Sequence, residues 1–308
     1  MRADGADSGR LALLIPGGRG QLGSDLATVG AHFGTVRAPG SAELDITDGA
    51  AIEHALDELR TAEGRPVVCN AAAYTAVDAA ESDVDRAFAV NATGPELLAK
   101  ACAARDIPLL HVSTDYVFSG DADHPYEPDD PTGPRSVYGR TKLAGEQAVL
   151  AAGPATWVVR TAWVYGSAGG NFVKTMARLS RERPELSVVD DQRGSPTWSA
   201  DLAAGLLSLA DAVSAGAFTG PRVLHCAGGG DTTWHGFARA IFAALGADPN
   251  RVKPCTTADF PRPAARPAYS ILSDASWRAG GLTPLRHWQA ALTEFIAEHR
   301  SALLAPGP

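Results

Sequence analysis

The sequence predicts an α/β fold, a doubly wound parallel sheet with a smaller, mainly C-terminal lobe, on three observations. Short apolar runs alternate with helix-like stretches through the first half of the 308 residues. A glycine-rich turn directly follows the first run and opens a helix. Beyond about residue 166 the alternation loosens into shorter, turn-rich pieces. Apolar strands alternating with amphipathic helices make βαβ units, whose sheet is buried on both faces.

The expected strands are Leu11–Ile15, Gly34–Ala38, Pro66–Asn70, Pro108–Thr114 and Ala155–Arg160. Helices are expected over Gln21–Val29, Ala50–Leu59 (with Asp48 as N-cap), Asp83–Ala104 and Ser136–Ala152. Then come a helix over Asn171–Glu182, a strand over Leu186–Val189, the turn-rich "DDQRGSPTW" and a helix from Asp201. A strand (Val223–Cys226), a helix (Thr233–Leu245), a proline-rich stretch and a last helix (His287–His299) follow. This divides the chain into a flexible extension (1–10), a dinucleotide-binding domain (11–165) and a mainly substrate-binding lobe (166–308). Strands near Leu186 and Val223 are candidates to rejoin the main sheet.

Hydrophobic residues make up 45% and charged residues 20%, enough for a core without staples. A net charge of -8 argues against nucleic acid or an anionic membrane as partner, though not against a local basic pocket. No apolar run reaches the roughly 18 residues a membrane span needs. The polar start "MRADGADSGR" lacks a signal-peptide core. Cys69, Cys102, Cys226 and Cys255 are scattered and form no CxxC pair, so neither a disulfide framework nor a zinc site is expected. A cytoplasmic location follows as the expectation.

In "PGGRGQLGSDL", Gly17, Gly20 and Gly23 give the spacing GxxGxxG after a strand and before a helix. The chain must turn sharply there, let N–H groups approach a pyrophosphate and pack a helix on a strand, all of which glycine permits. The spacing departs from the usual Rossmann GxGxxG and takes the form seen in short-chain reductases, so a Rossmann-type domain is expected. After the second strand, "TVRAPGSAELDITD" lacks the usual ribose-binding acid. Arg37 is placed to meet a 2′-phosphate, which favours NADPH, although a plain surface arginine reads equally well and NADH stays open. Asp45, with Ile46 beside it, is a candidate for the adenine edge.

"SVYGRTKLAGEQAVL" carries Tyr138 and Lys142 at i,i+4, one face of a helix. A carbonyl reductase needs a proton donor beside the carbonyl oxygen, and free tyrosine, with a pKa near ~10, exchanges protons poorly at neutral pH. A neighbouring ammonium lowers that pKa, and a shift of roughly three units corresponds to about 4 kcal/mol. At the end of the fourth strand, "HVSTDYVFSG" offers Ser113 or, preferred, Thr114 as a donor to the developing oxyanion. A lone YxxxK string is weak; in this order with a glycine loop and a strand-end hydroxyl it reads as a short-chain reductase.

Over nearly its whole length the sequence resembles the dTDP-4-dehydrorhamnose reductase family, extended short-chain reductases. The likeness rests on "GGRGQLG", "NAAAYTAVDAAES", "STDYVFSG", "YGRTKLAGE", "RTAWVYG", "NFVKTM", "DQRGSPT" and "ARPAYSIL". The resemblance implies Thr114, Tyr138 and Lys142 as catalytic hydroxyl, acid and lysine. It implies Gly20, Gln21 and Leu22 as the pyrophosphate loop and Ala72, Ala73 and Tyr74 as the stretch beside the cofactor. Val77, Asp115, Tyr116 and Trp163 would contact the sugar, while Tyr116, Trp163 and Val77 also read as core and Asp115 as a turn cap. Arg266 suits a nucleotide phosphate or a surface ion pair; Trp234 and His235 read as structural.

The implied activity is NAD(P)H-dependent reduction of the C4 ketone of a dTDP-4-keto-6-deoxyhexose, dTDP-4-dehydro-L-rhamnose first. A different deoxysugar, such as that of the streptose branch, is the nearest alternative. A non-catalytic subunit like that of methionine adenosyltransferase is the second. Some family members form a magnesium-bridged dimer through clustered glutamates. Here Asp25 and Ala200 stand at the corresponding places, so no metal is expected, and a homodimer is left open.

Overall fold

The computed structural model describes residues 9–305, so the expected extension over residues 1–10 falls almost wholly outside the described residues. The first half runs β1 (Leu11–Leu14), α1 (Gln21–Gly30), β2 (Gly34–Arg37), α2 (Gly49–Thr61), β3 (Arg65–Asn70), α3 (Val77–Ala80), α4 (Val84–Phe88), α5 (Gly94–Ala103), β4 (Leu109–Thr114), α6 (Val137–Ala152) and β5 (Thr156–Thr161). The second half runs β6 (Val164–Tyr165), α7 (Phe172–Glu182), β7 (Leu186–Val189), β8 (Arg193–Gly194), β9 (Thr197–Trp198), α8 (Ser199–Ser214), β10 (Val223–His225), β11 (Thr232–Thr233), α9 (Trp234–Leu245), β12 (Val252–Cys255), α10 (Ala275–Ala279) and α11 (Trp288–Leu304).

Six strands form one sheet in the order β10-β5-β4-β3-β1-β2, and every pairing is parallel. Alternation along β1 shows why both faces are covered. Leu11, Leu13 and Ile15 pack with Leu22 and Leu26 of α1 and Leu202 and Leu206 of α8. Ala12 and Leu14 turn the other way, onto Ile52 and Leu56 of α2 and Leu98 of α5. From β1 the chain goes to β2 on one side and to β3 on the other. The carboxyl ends of β1 and β3 therefore flank the crevice where such sheets take ligands.

After residue 165 the chain enters this layer again through α8 and β10, which pairs with β5 from Val223↔Val158 to His225↔Arg160. The segment near Leu186 does not rejoin it: β7 pairs in parallel with β12, Leu186 opposite Val252, in a separate two-stranded sheet. A second core gathers Tyr165, Trp198, Phe237, Phe242, Trp288 and Phe295 in the C-terminal half.

The continuous helix expected over Asp83–Ala104 is instead α4, a π-helical turn at Ala89–Thr93, and α5. Pro95 in the first turn of α5 has no N–H for the i→i−4 ladder. The wider turn lets Asn91 point wholly inward, where its side chain spans the backbone of Tyr74 and the Thr141 hydroxyl.

One buried ion pair ties α6 to the sheet. Arg160 of β5 holds Glu146 of α6 through Nη2–Oε2 at 2.8 Å, with the two side chains 5% and 2% exposed. Glu146→Ala would strand a buried guanidinium and should cost about 3–5 kcal/mol, read as a lower urea midpoint with unchanged slope.

Candidate active site

The glycine loop between β1 and α1 runs pressed between the chain segments that follow β2 and β3. Gly17 adopts φ +80, and a Cβ there would lie 2.6 Å from Ala72 N. At Gly18 it would lie 2.2 Å from Ala38 O, and at Gly23 2.2 Å from Gly17 O. Gly20 is the N-cap of α1 and supplies no side-chain hydrogen bond, so the first-turn N–H groups are left without a side-chain cap. Backbone donors at a helix start, approached without side chains, fit a dinucleotide pyrophosphate. Gln21 and Leu22 line the adjoining cavity, and Gln21 Oε1 accepts from Asn171 Nδ2 at 3.0 Å.

That cavity, about 470 Å³, brings Thr114, Asp115, Tyr138 and Lys142 together with Val77, Ala73 and Trp163. β4 ends at Thr114, whose hydroxyl donates to Asp115 Oδ1 at 2.9 Å and accepts from Tyr116 N at 3.3 Å. Ser136 caps α6 by accepting from Gly139 N, which presents Tyr138 in the first turn and Lys142 one turn later. Both are nearly enclosed, at 9% and 2% exposure. Burial pushes the Tyr138 phenol up to about 12, against a hydrogen bond with Thr114. The expected effect of Lys142, a lowering in concert with the positive charge of the oxidised nicotinamide, does not enter this balance. Lys142 Nζ instead donates to Val112 O at 2.7 Å and lies 3.3 Å from His111 Nε2, and burial lowers it to about 8.

Four buried oxygens at the cavity, Ser113 Oγ, Asp115 Oδ2, Thr161 Oγ1 and Tyr165 Oη, have no hydrogen-bond partner among the described residues. Buried polar atoms are ordinarily paired, and hydroxyls of a bound molecule would satisfy such atoms. Burial raises the Asp115 carboxyl to about 6.

Trp163 holds the left-handed φ of 49, uncommon for a bulky residue. Its ring stacks on Trp234 with centroids 3.6 Å apart and planes 7° apart, and Gly194 leaves room: a Cβ there would sit 2.4 Å from the indole. Tyr116 meets Tyr138 edge-on at 5.5 Å. Tyr116, Phe172 and Trp234 also line a second cavity of about 740 Å³, which holds Arg262 and Arg266. Arg266 Nη1 reaches Asp78 Oδ1 at 2.8 Å, and Arg262 stands 3.9 Å from the same carboxylate. Burial is the largest single influence on Asp78 and opposes its ionisation, but Arg266, the Ala264 N–H and Arg262 together keep the carboxyl below its usual range.

Some expected residues are engaged elsewhere. Arg37 is paired with Glu58 of α2 on an exposed edge. Asp45 accepts from Thr47 N at 2.9 Å and Thr47 Oγ1 at 2.8 Å, a local turn that holds it ionised. Ile46 is buried, against Gly94. Ala72 lies against Gly17, and Tyr74 donates its hydroxyl to Asp83 Oδ2 at 3.2 Å. Asp25 takes a hydrogen bond from Ser199, and no group of three or more acids, histidines or cysteines is arranged to hold a metal ion among the described residues.

The sequence reading missed Gly18, Asn91 and His111. Gly18 sits inside the quoted glycine string, but spacing alone gave no sign of its approach to Ala38. His111, two residues before Ser113, was visible in "HVSTDYVFSG" and is wholly buried.

A family model described as the RmlD substrate binding domain matches residues 11–301. A dTDP-4-dehydrorhamnose reductase of Streptomyces griseus is 50% identical over 96% of this chain and 97% of its own length. The enzyme of the same name from Mycobacterium tuberculosis is 53% identical over 92% of each chain. Among solved structures, dTDP-4-dehydrorhamnose reductase from Bacillus anthracis in complex with NADP superposes with a TM-score of 0.87 at 36% identity, over 95% of this chain and 100% of the other.

The raised carboxyl of Asp115 has a consequence for stability. The folded chain binds this proton more tightly than the unfolded one, so stability falls as pH rises from about 4 to about 6. Asp115→Asn should abolish that fall and stabilise the protein at pH 7 by about 2–3 kcal/mol. Urea unfolding of both proteins across pH 4–7 checks it; parallel profiles would refute it.

Proposed function

The chain belongs to the dTDP-4-dehydrorhamnose reductase family, and from that premise we propose how its residues carry out the reaction. It is an NAD(P)H-dependent oxidoreductase that reduces the C4 ketone of a dTDP-4-keto-6-deoxyhexose, dTDP-4-dehydro-L-rhamnose to dTDP-L-rhamnose. The observation that carries the reading is the convergence of Thr114, Tyr138 and Lys142 on one cavity beside the uncapped start of α1.

A bound nicotinamide cofactor would supply the hydride that the ketone carbon takes up. Tyr138, held as the phenol by burial, gives its proton to the ketone oxygen as negative charge develops there. Thr114 orients that oxygen, and its bond to Asp115 keeps the hydroxyl in place. Lys142, Gln21 and the backbone of Gly17 to Gly23 hold the cofactor, with Ala72, Ala73 and Tyr74 beside it. Asp115, Val77, Tyr116 and Trp163 bind the sugar. Arg266 and Arg262 hold the diphosphate, which would replace Asp78 as their counter-charge.

NADPH is the preferred cofactor in this reading. No carboxylate follows β2 in Ala38-Pro39-Gly40, and Arg19 of the glycine loop packs against Gly40 there with its guanidinium exposed. Arg37 is paired with Glu58 and Arg19 with Glu43, at 3.2 Å; of these two exposed arginines, Arg19, in the glycine loop itself and with the more exposed guanidinium, is the candidate put forward for the 2′-phosphate. The protein is placed in the cytoplasm, a reading supported by four free cysteines, three of them buried. No helix among the described residues is long and apolar enough to cross a membrane.

Tyr138→Phe should lower turnover about 10²–10⁴-fold with cofactor binding retained. The assay follows NADPH oxidation with enzymatically generated dTDP-4-keto-6-deoxy-L-hexose and identifies the product by NMR; near-normal turnover would remove Tyr138 as the acid. Arg19→Ala should raise KM for NADPH about three- to tenfold and leave that for NADH unmoved. Equal effects on both would detach Arg19 from the 2′-phosphate.

A further inference from the structure

Trp163 stands in a backbone conformation that an indole does not favour. Among the described residues Asp106 and Trp163 are the two non-glycine residues at positive φ, 54 and 49. A short polar side chain such as that of Asp106 tolerates the left-handed region, whereas a bulky ring gains nothing locally from it. Such a conformation persists where the surrounding structure over-determines it.

Three contacts do so here. Trp163 O accepts from Thr197 N at 3.2 Å, and Val164, the next residue, pairs with the same threonine. The indole lies face to face with Trp234, and it occupies the space that a Cβ on Gly194 would need. These last two contacts come from one ribbon. β8 pairs antiparallel with β11, Gly194 opposite Thr232, and α9 opens with Trp234 directly after β11. Thr233 caps α9 by accepting from Gly236 N at 3.0 Å, which sets the backbone of Trp234. Phe172 lies against this second indole with ring centroids 4.6 Å apart. The ribbon thus forms a slot that holds the Trp163 ring.

This slot does more than pack a core. Trp277 and Trp288 are core tryptophans, at 1% and 4% exposure. Trp163 and Trp234 are only partly buried, and both line the cavity of about 470 Å³ together with Thr114 and Tyr138. We propose that Trp234 and Gly194 are positioning residues for the sugar: they hold the Trp163 indole in one orientation before substrate arrives, so that binding spends no rotamer freedom on it. The proposal rests on the reading that Trp163 binds the sugar. Its effect belongs to affinity for the sugar end of the substrate. Proton transfer belongs to Tyr138 and Thr114, which α6 and β4 anchor separately.

Two substitutions displace the ring by different routes. Trp234→Leu removes the stacked face, and Gly194→Ala drives a methyl group into the indole; should the first not fold, the second stands alone. Full-length protein with 15N-labelled tryptophan has six indole N–H groups to follow, and that of Trp163 should move in either variant. Calorimetry on Gly194→Ala should show dTDP-L-rhamnose binding weakened about three- to tenfold, with dTDP itself within about twofold. The second cavity, with Arg262 and Arg266, is lined without Gly194. In turnover, KM for the keto sugar should rise by a similar factor while kcat and KM for NADPH stay within about twofold. Trp234→Phe keeps an aromatic face and should fall between the unaltered protein and Trp234→Leu. In a Trp163→Ala background, Gly194→Ala should add less than about twofold, because no indole is left to displace.

An indole signal that moves while dTDP-L-rhamnose binding stays put overturns the proposal. So does an unmoved signal in Gly194→Ala, a loss shared equally by dTDP, or a full-sized loss on top of Trp163→Ala. Absence of ketone reduction by the unaltered protein, with the expected indole shifts and binding, would instead overturn the reductase reading and leave the slot standing.

Discussion

The structure depends on how closely its backbone approaches itself around the glycine loop. Gly17, Gly18 and Gly23 sit where a single Cβ would collide with Ala72, Ala38 or the loop's own carbonyl. No side chain can move to relieve such a contact, because the opposing atoms are themselves main chain. The start of α1, the segment after β2 and the segment after β3 are thereby locked into one cluster at the carboxyl edge of the sheet. The order of strands about β1 puts that cluster at the one place where the sheet opens a crevice.

From this edge the polar chemistry is arranged by strand register. β3 and β4 are paired so that Asn70 lies opposite His111, and β4 and β5 so that Thr114 lies opposite Thr161. The helix carrying Tyr138 and Lys142 is held to the same sheet by the Glu146–Arg160 pair, with Arg160 also over the Phe118 ring at 4.9 Å. Buried charge is an expensive way to fix a helix, since desolvation offsets most of the attraction. What it adds here is direction: a bidentate guanidinium admits one orientation of α6, whereas apolar packing would tolerate rotation.

Much of this was legible in the sequence. The strands of the main sheet, the loop after β1 and the YxxxK helix were set by periodicity and spacing, local signals that a reader can apply to a string of residues. The parts that were not legible are those decided by contacts far along the chain. Arg37 pairs with Glu58 of the next helix, a partner its own stretch of sequence does not show. The π turn at Ala89–Thr93 follows from the needs of Asn91 against Tyr74 and Thr141, which no window of sequence contains. Leu186–Val189 has a strand's composition, and nothing within it told that its neighbour would be Val252–Cys255.

The indole pair formed by Trp163 and Trp234 joins the passage out of β5 to the first residue of α9. Two identical chromophores held face to face do not absorb as independent units; their transitions couple and give a paired circular-dichroism signal that isolated tryptophans lack. Because both rings line the same cavity, the protein carries an optical reporter of that cavity, with no label attached. Anything that tilts or separates the two faces is written into the ultraviolet spectrum of the unmodified chain.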